Sequence, residues 1–221
     1  MEDKLRKSVK DSRIRGPVFS FVPAHGESRA GAVAEQLSRT LTEGLGDAVL
    51  LADFRSHPHP VWFEDEAVQP SGAAACGAIV TERDGIDVLE APDVNPRELA
   101  PLLQNTRENY VITCVDLTGA REDQTQEVLR VSEAIFIVAG SARASLEGVR
   151  ETLASIQGIE DVGDRCALLL LRDSGGVNAA DAEEITGLPL CSLVDSPEHI
   201  AQFARWLATN ATQPAELALA G

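Results

Sequence analysis

The chain has 221 residues, of which 44% are hydrophobic and 24% charged, enough for one sizeable α/β domain. Its formal net charge of −16 and isoelectric point near 4.6 repel phosphate backbones and anionic lipid. That argues against nucleic acid as a partner, and against membrane-surface binding by the bulk of the domain. No apolar run approaches the roughly 20 residues that a membrane span needs, and no signal peptide is visible. A cytoplasmic protein without direct membrane insertion is expected.

In chain order, "MEDKLRKSVKDSRIR" comes first. It sets Lys4, Arg6, Lys7, Lys10, Arg13 and Arg15 against Glu2, Asp3 and Asp11. This basic arm (1–15) is either a solvated terminus or a contact arm for an acidic neighbour, another copy of the chain included. "PVFSFVP" (17–23) reads as a first strand. A helix follows with Val33, Leu37 and Leu41 at helical spacing. "AVLLADF" (48–54) reads as a second strand. The Pro-, Gly- and acid-rich stretch 55–84 reads as a long surface excursion. "GIDVLEAP" (85–92) is a short strand, and Asn95-Pro96 starts a helix. "NYVITCVDL" (109–117), "EAIFIVAG" (133–140) and "CALLLLRD" (166–173) are near-continuous apolar runs, as suits strands buried on both faces. The helical segments "EDQTQEVLRVS" and "SLEGVRETLASI" lie between them. The second has Leu146, Val149, Leu153 and Ile156 on one face. "GLPLCSLVD" (187–195) is expected as a last edge strand. "SPEHIAQFARWLATN" is a closing helix, with Ser196 as cap and Pro197 in its first turn.

This β-α alternation predicts a three-layer α/β fold, a mostly parallel central sheet flanked by helices, with ligands at the carboxyl ends of the strands. One domain is expected over 16–210, with a flexible tail at 211–221. The four cysteines, Cys76, Cys114, Cys166 and Cys191, have no CxxC spacing and read as reduced thiols. "HPHP", with His57 and His59, could ligate a metal. Its prolines stiffen the backbone and no third ligand is evident, so a loop is expected. Glu64, Asp65 and Glu66 read as a solvated acidic patch. Trp62 and Phe63 are either a plug under the excursion or a docking anchor for a partner.

The chemistry-bearing stretch is "PAHGESRA" (23–30), between the first strand and its helix. A phosphate loop reads GxxxxGK[ST]. Its amides cradle phosphate, its lysine reaches the outer phosphates and its hydroxyl holds Mg²⁺. Here every fixed position differs. Pro23 removes an amide donor. Ser28 carries a Cβ that would cost roughly 1–2 kcal/mol in a left-handed conformation. Arg29 keeps the charge as a planar fork. Ala30 has no oxygen for Mg²⁺. Asp53 and Asp116 end their strands, where a nucleotide site places Mg²⁺-binding carboxylates. Taken singly, each reads first as a turn starter or helix cap, and the two together at strand tips favour a scaffold of nucleotide-binding type.

The chain resembles the deviant-Walker P-loop ATPases related to the partitioning and division-site ATPases. Within them it is most similar to the cytoplasmic domains of bacterial tyrosine kinases and capsular-exopolysaccharide relatives. The resemblance is carried in order by "LRKSV" (5–9), "PAHGESRAG" (23–31), "VLLADFRSHP" (49–58), "GIDVLEAPDVNPRELAPLL" (85–103), "NYVITCVDLTGA" (109–120) and "SEAIFIVAGSARAS" (132–145). It implies a P-loop NTPase-like fold with a degenerate Walker A loop. The vestigial nucleotide site would be Gly26, Glu27, Ser28, Arg29, Ala30, Asp53 and Asp116, with Asp53 and Asp116 holding Mg²⁺ if nucleotide binds. Asp53 stands against either acid of the family's "DAD" pair. The kinases' tyrosine tail has no counterpart, since the only tyrosine, Tyr110, is expected inside a buried strand. The resemblance implies a non-catalytic regulatory or assembly partner in bacterial exopolysaccharide synthesis or export. It would be recruited to the inner face of the membrane by a chain-length regulator, or paired with an intact homologous ATPase or with itself. The alternatives are an ATP/ADP-Mg²⁺ sensor without turnover, and an active ATPase or tyrosine kinase with an atypical site. No cofactor is expected, and Arg29 is the residue left to hold a phosphate.

Overall fold

The apolar runs become inner strands because both of their faces are covered. A computed structural model describes residues 16–45, 49–54, 79–90 and 94–211. The strands are β1 (Val18–Pro23), β2 (Val49–Asp53), β3 (Ile79–Arg83), β4 (Ile86–Glu90), β5 (Ile112–Asp116), β6 (Ala134–Gly140), β7 (Cys166–Leu171) and β8 (Leu190–Val194). They form one sheet in the order β3-β4-β2-β5-β1-β6-β7-β8. Every pairing is parallel except that of β3 with β4. The helices are α1 (Ala30–Leu45), α2 (Pro96–Asn109), α3 (Glu122–Val131), α4 (Arg143–Ile156), α5 (Ala179–Thr186) and α6 (Pro197–Ala211).

Side chains alternate across the sheet and divide the core in two. Val18, Leu50, Val115, Ile135 and Leu168 meet α2, α3, α4 and α5 on one face. Phe19, Phe21, Leu51, Cys114, Phe136 and Leu169 meet α1 and α6 on the other. On that second face Ile200, Phe203, Ala204 and Leu207 of α6 are buried, as the closing-helix pattern requires. The three-layer, mostly parallel α/β expectation therefore holds, with β8 at one edge.

Several details differ from the sequence-based expectations. The last part of the 55–84 excursion is strand β3, folded back on β4 through a two-residue turn at Asp84 (φ 51°) and Gly85 (φ 79°). Positive φ at both positions is the hairpin geometry that an Asp-Gly pair signals. Tyr110 is buried but lies outside β5, directly after α2. Its hydroxyl donates to Asp87 Oδ2 at 3.0 Å. Helix α5 has no counterpart in the sequence reading. It is short and acidic, yet its ends carry the usual signals: Asn178 accepts the Asp181 N–H, and Gly187 (φ 73°) closes it in the left-handed region.

Cys114, Cys166 and Cys191 are free thiols. Burial pushes Cys114 and Cys191 up to about 12 and Cys166 up to about 11, so all three stay protonated at neutral pH. No helix among the described residues is long and apolar enough to cross a membrane. The basic arm 1–15, the stretch with His57, His59, Trp62, Phe63, the 64–66 acids and Cys76, and the tail from 212 on lie outside the described residues.

Candidate functional site

The loop between β1 and α1 sits at the carboxyl end of the sheet, beside β5 and β6. Its backbone is tied down residue by residue. Ala24 N–H donates to the Val138 carbonyl at 2.9 Å, and His25 N–H lies within reach of Thr152 Oγ1 (3.1 Å) and the Gly148 carbonyl (3.4 Å). Glu27 N–H returns to the Ala24 carbonyl at 2.8 Å. The turn falls on Gly26, with φ 80°. Ser28 is not in the left-handed region, so the strain expected there is absent.

The next two amides converge on one carboxylate. Ser28 N–H and Arg29 N–H both donate to Glu27 Oε1, at 3.0 and 2.9 Å. The Arg29 guanidinium closes over the same group, with Nε to Oε1 and Nη2 to Oε2, each at 2.8 Å. Arg29 Nη1 reaches across the site to Asp173 Oδ1 at 2.8 Å. The Glu27 side chain is only 4% exposed, against 43% for Arg29 and 30% for Asp173. Arg29, expected as a phosphate ligand, is thus engaged by two carboxylates of its own chain.

Three small residues make room for this arrangement. A Cβ on Gly140 would stand 2.4 Å from Asp173 Oδ2 and 2.5 Å from Arg29 Nη2. One on Gly148 would meet the His25 carbonyl at 2.5 Å, so α4 can approach the loop only with glycine there. One on Gly31 would stand 2.6 Å from Asp116 Oδ2, which sets the first turn of α1 directly against that carboxylate. Asp173 itself is aimed by its N–H, which donates to Ser141 Oγ at 2.8 Å.

Asp53 and Asp116 lie opposite each other at the ends of β2 and β5, buried on the α1 face. Asp116 Oδ1 accepts the Thr118 N–H at 2.8 Å. Glu90 stands opposite Asp53 on the other side. Arg83, from the hairpin strand β3, reaches both: Nη2 lies 2.5 Å from Glu90 and Nη1 3.8 Å from Asp53. Among the described residues no group of three or more His, Cys, Asp and Glu side chains is placed to hold a metal ion. Sequence reasoning missed Asp173, Gly140, Gly148, Arg83 and Glu90. Asp173 carried the signal already used for Asp53 and Asp116, an acid just past a strand end. The others depend on neighbours across the sheet, or between helix α4 and the loop, that no linear spacing displays.

The Arg29 hydrogen bonds hold the Glu27 and Asp173 carboxyls below their ordinary ranges, and they are the first cause of both shifts. The two carboxylates in turn push the guanidinium further up. Depressed folded-state carboxyls stabilise the fold above their unfolded values, near pH 4. They lose that contribution as pH falls through the lower folded values. Arg29→Ala is expected to return both carboxyls toward ordinary titration and flatten the acid limb of the stability curve. Urea midpoints measured from about pH 3 to 6 test this. An acid limb as steep as the wild type's would remove the clasp as its source.

A strand-turn-helix loop beside β5 and β6, with buried acids ending β2 and β5, is the layout of a P-loop NTPase-like α/β protein. Solved structures of that class are similar along nearly the whole chain. A ParA family ATPase from Chlorobium tepidum has a TM-score of 0.67 at 18% identity, covering 93% of this chain and 95% of its own. A chain of the MinC:MinD cell division complex of Aquifex aeolicus has a TM-score of 0.70 at 13% identity, covering 88% and 96%. Cobyrinic acid a,c-diamide synthase from Mycobacterium smegmatis, solved with bound ADP and magnesium, has a TM-score of 0.65 at 15% identity, covering 90% and 96%. At these identities the likeness is one of fold. No protein-family model matches the sequence, and the comparison with curated proteins found no match.

Proposed function

We propose that the chain is a non-hydrolysing P-loop-like protein, a pseudo-ATPase acting as a regulatory or assembly partner in bacterial exopolysaccharide synthesis or export. The observation that carries this is the Glu27–Arg29–Asp173 clasp. The one cation at the lysine position of the loop is neutralised by two carboxylates, at 2.8 Å each. Nucleotide-Mg²⁺ does not fit the residues as they stand. The amides of Ala24, His25, Glu27, Ser28 and Arg29 already have acceptors within the chain, and Ala30 offers no oxygen to a cation. Of the two buried acids, Asp53 faces a protein cation, Arg83, which also pairs with Glu90.

The pathway is suggested by the resemblance of the block at 85–103 to the exopolysaccharide group. A protein-protein role has a parallel in one of the similar folds, which was solved as a complex of two different proteins. The partner would be a membrane-embedded chain-length regulator or a catalytically intact relative, which would bring this chain to the inner face of the membrane.

The purified full chain is expected to hydrolyse ATP no faster than buffer, with or without Mg²⁺. Its melting temperature is expected to stay fixed on adding ADP-Mg²⁺. A ligand at a hundred times its Kd would add about 2.7 kcal/mol, so the thermal measurement is sensitive. Turnover that Arg29→Ala abolishes would overturn the proposal. A second reading, a nucleotide sensor without turnover, is favoured by Asp53 and Asp116 standing opposite each other, with Asp116 against the first turn of α1. It requires Glu27 to leave the loop.

A further inference from the structure

We propose that Glu27 is a built-in occupant of the loop's anion seat. It is an autoinhibitory contact that closes the loop to phosphoryl and pyrophosphoryl groups, and its removal opens the loop to them. The inference rests on the pseudo-ATPase reading and names the residue that enforces it.

The first argument is what the carboxylate serves. An ordinary N-cap side chain bonds the amides of the second or third helical residue. Helix α1 begins at Ala30, and the amides bonded by Glu27 are those of Ser28 and Arg29, ahead of the helix. Successive loop amides turned onto one acceptor form a concavity for an anion. The carboxylate in it accepts four hydrogen bonds, two from backbone and two from the Arg29 guanidinium. All are charge-assisted, which makes them short and strong.

The second argument is burial. A carboxylate 4% exposed at the tip of a surface loop is not a solvated side chain folded back by chance. Its desolvation is offset only because those donors are there. Asp173, held by Ser141 and given room by Gly140, anchors the guanidinium from the far side. The seat, its occupant and the clamp over it therefore form one unit.

The third argument is competition. A ligand that needs a minor open state binds with an affinity lowered by the fraction of time that state is populated. With Glu27 seated, an incoming phosphoryl group must displace an anion already bearing four bonds. It must also approach against the charge of Asp173. Deleting the Glu27 carboxylate leaves the same two amides without their acceptor and the guanidinium with Asp173 alone.

The test uses the full chain, titrated calorimetrically with inorganic pyrophosphate, with the Ser28 and Arg29 amide resonances followed by NMR. Glu27→Ala is expected to bind at least about tenfold more tightly than wild type, with both amides shifting. Glu27→Gln keeps the shape but not the charge. It is expected to fall between the two, and it serves if the alanine variant does not fold. Asp173→Asn leaves Glu27 seated and is expected to gain clearly less than Glu27→Ala. The inference is overturned if Glu27→Ala and Glu27→Gln bind no better than wild type, or if the gain leaves the two amides unmoved. It is also overturned if Asp173→Asn gains as much, since Arg29 pairing alone would then be the barrier. ATP turnover by the wild-type chain would sink the pseudo-ATPase reading, a separate outcome from these.

Discussion

Phe136→Ala is expected to lower the unfolding free energy by about 3–5 kcal/mol, the usual cost of truncating a fully buried phenylalanine. Phe136 is 0% exposed in the middle of β6, on the α1/α6 face. Its ring centroid lies 5.4 Å from that of Phe21 and 6.2 Å from that of Phe19. It meets Phe203 of α6 edge-on at 5.2 Å. Phe203 then stacks on Trp206 at 5.8 Å. Such offset and edge-on pairs add to plain area burial. Phe136→Leu, which keeps most of the volume, should cost under about 1.5 kcal/mol. Urea denaturation separates the two by midpoint, with little change in slope if the transition stays two-state. A loss below about 1 kcal/mol for the alanine variant would mean that the face repacks, and that β6 does not depend on this ring.

The same face explains how much of the fold could be read in advance. Runs such as "CALLLLRD" and "EAIFIVAG" are apolar on both sides because helices cover both sides of an inner parallel strand. Burial leaves a one-dimensional trace there, and those strands were legible. The edges were not. Strand β3 is an edge strand whose sequence, "IVTER", is half polar, and its pairing to β4 is local and antiparallel. The Asp84-Gly85 signal was present, but the composition of the preceding stretch masked it. Helix α5 failed for a related reason. It is eight residues long and buries only Ala182 and Thr186, so no periodic stripe develops.

The site divides in the same way. The position of the loop was legible, because strand, turn and helix are consecutive in sequence. The two strand-end acids were legible too, because each closes an apolar run. What those residues do to one another was not. Arg29 and Asp173 are 144 residues apart, and their meeting depends on β1, β6 and β7 being neighbours in the sheet. Glu27 stood in plain view inside the motif window. Sequence alone gave it no role beyond a vestigial ligand, since nothing linear tells whether a loop carboxylate points outward or folds onto its own amides. On the proposed pseudo-ATPase reading, the geometry gives the loop's departures from the phosphate-loop pattern a different meaning. Losing Gly, Lys and Ser/Thr would leave an empty turn, whereas gaining a seated carboxylate leaves a closed one.

That closure depends on α4 as much as on the loop, and a matched pair of glycine substitutions exposes the dependence. Gly148→Ala and Gly44→Ala are the same change in two helices, and they are expected to have opposite signs. Helix propensity alone favours alanine over glycine by up to about 1 kcal/mol. At Gly44, exposed near the end of α1, a Cβ meets nothing within 4 Å, so stability should rise by a few tenths to about 1 kcal/mol. At Gly148 the added Cβ would stand 2.5 Å from the His25 carbonyl oxygen and 3.3 Å from its nitrogen, both backbone atoms. Real Cβ atoms do not approach that closely, so α4 and the loop must separate. Separation stretches the His25 N–H contacts to the Gly148 carbonyl and Thr152 Oγ1, and it loosens the turn that seats Glu27. Strain of this kind costs about 1–3 kcal/mol, enough to outweigh the propensity gain. Calorimetric melting of the two variants gives the comparison directly. A stabilised Gly148→Ala would show that the loop yields to α4 at no cost, and that α4 does not hold the loop closed.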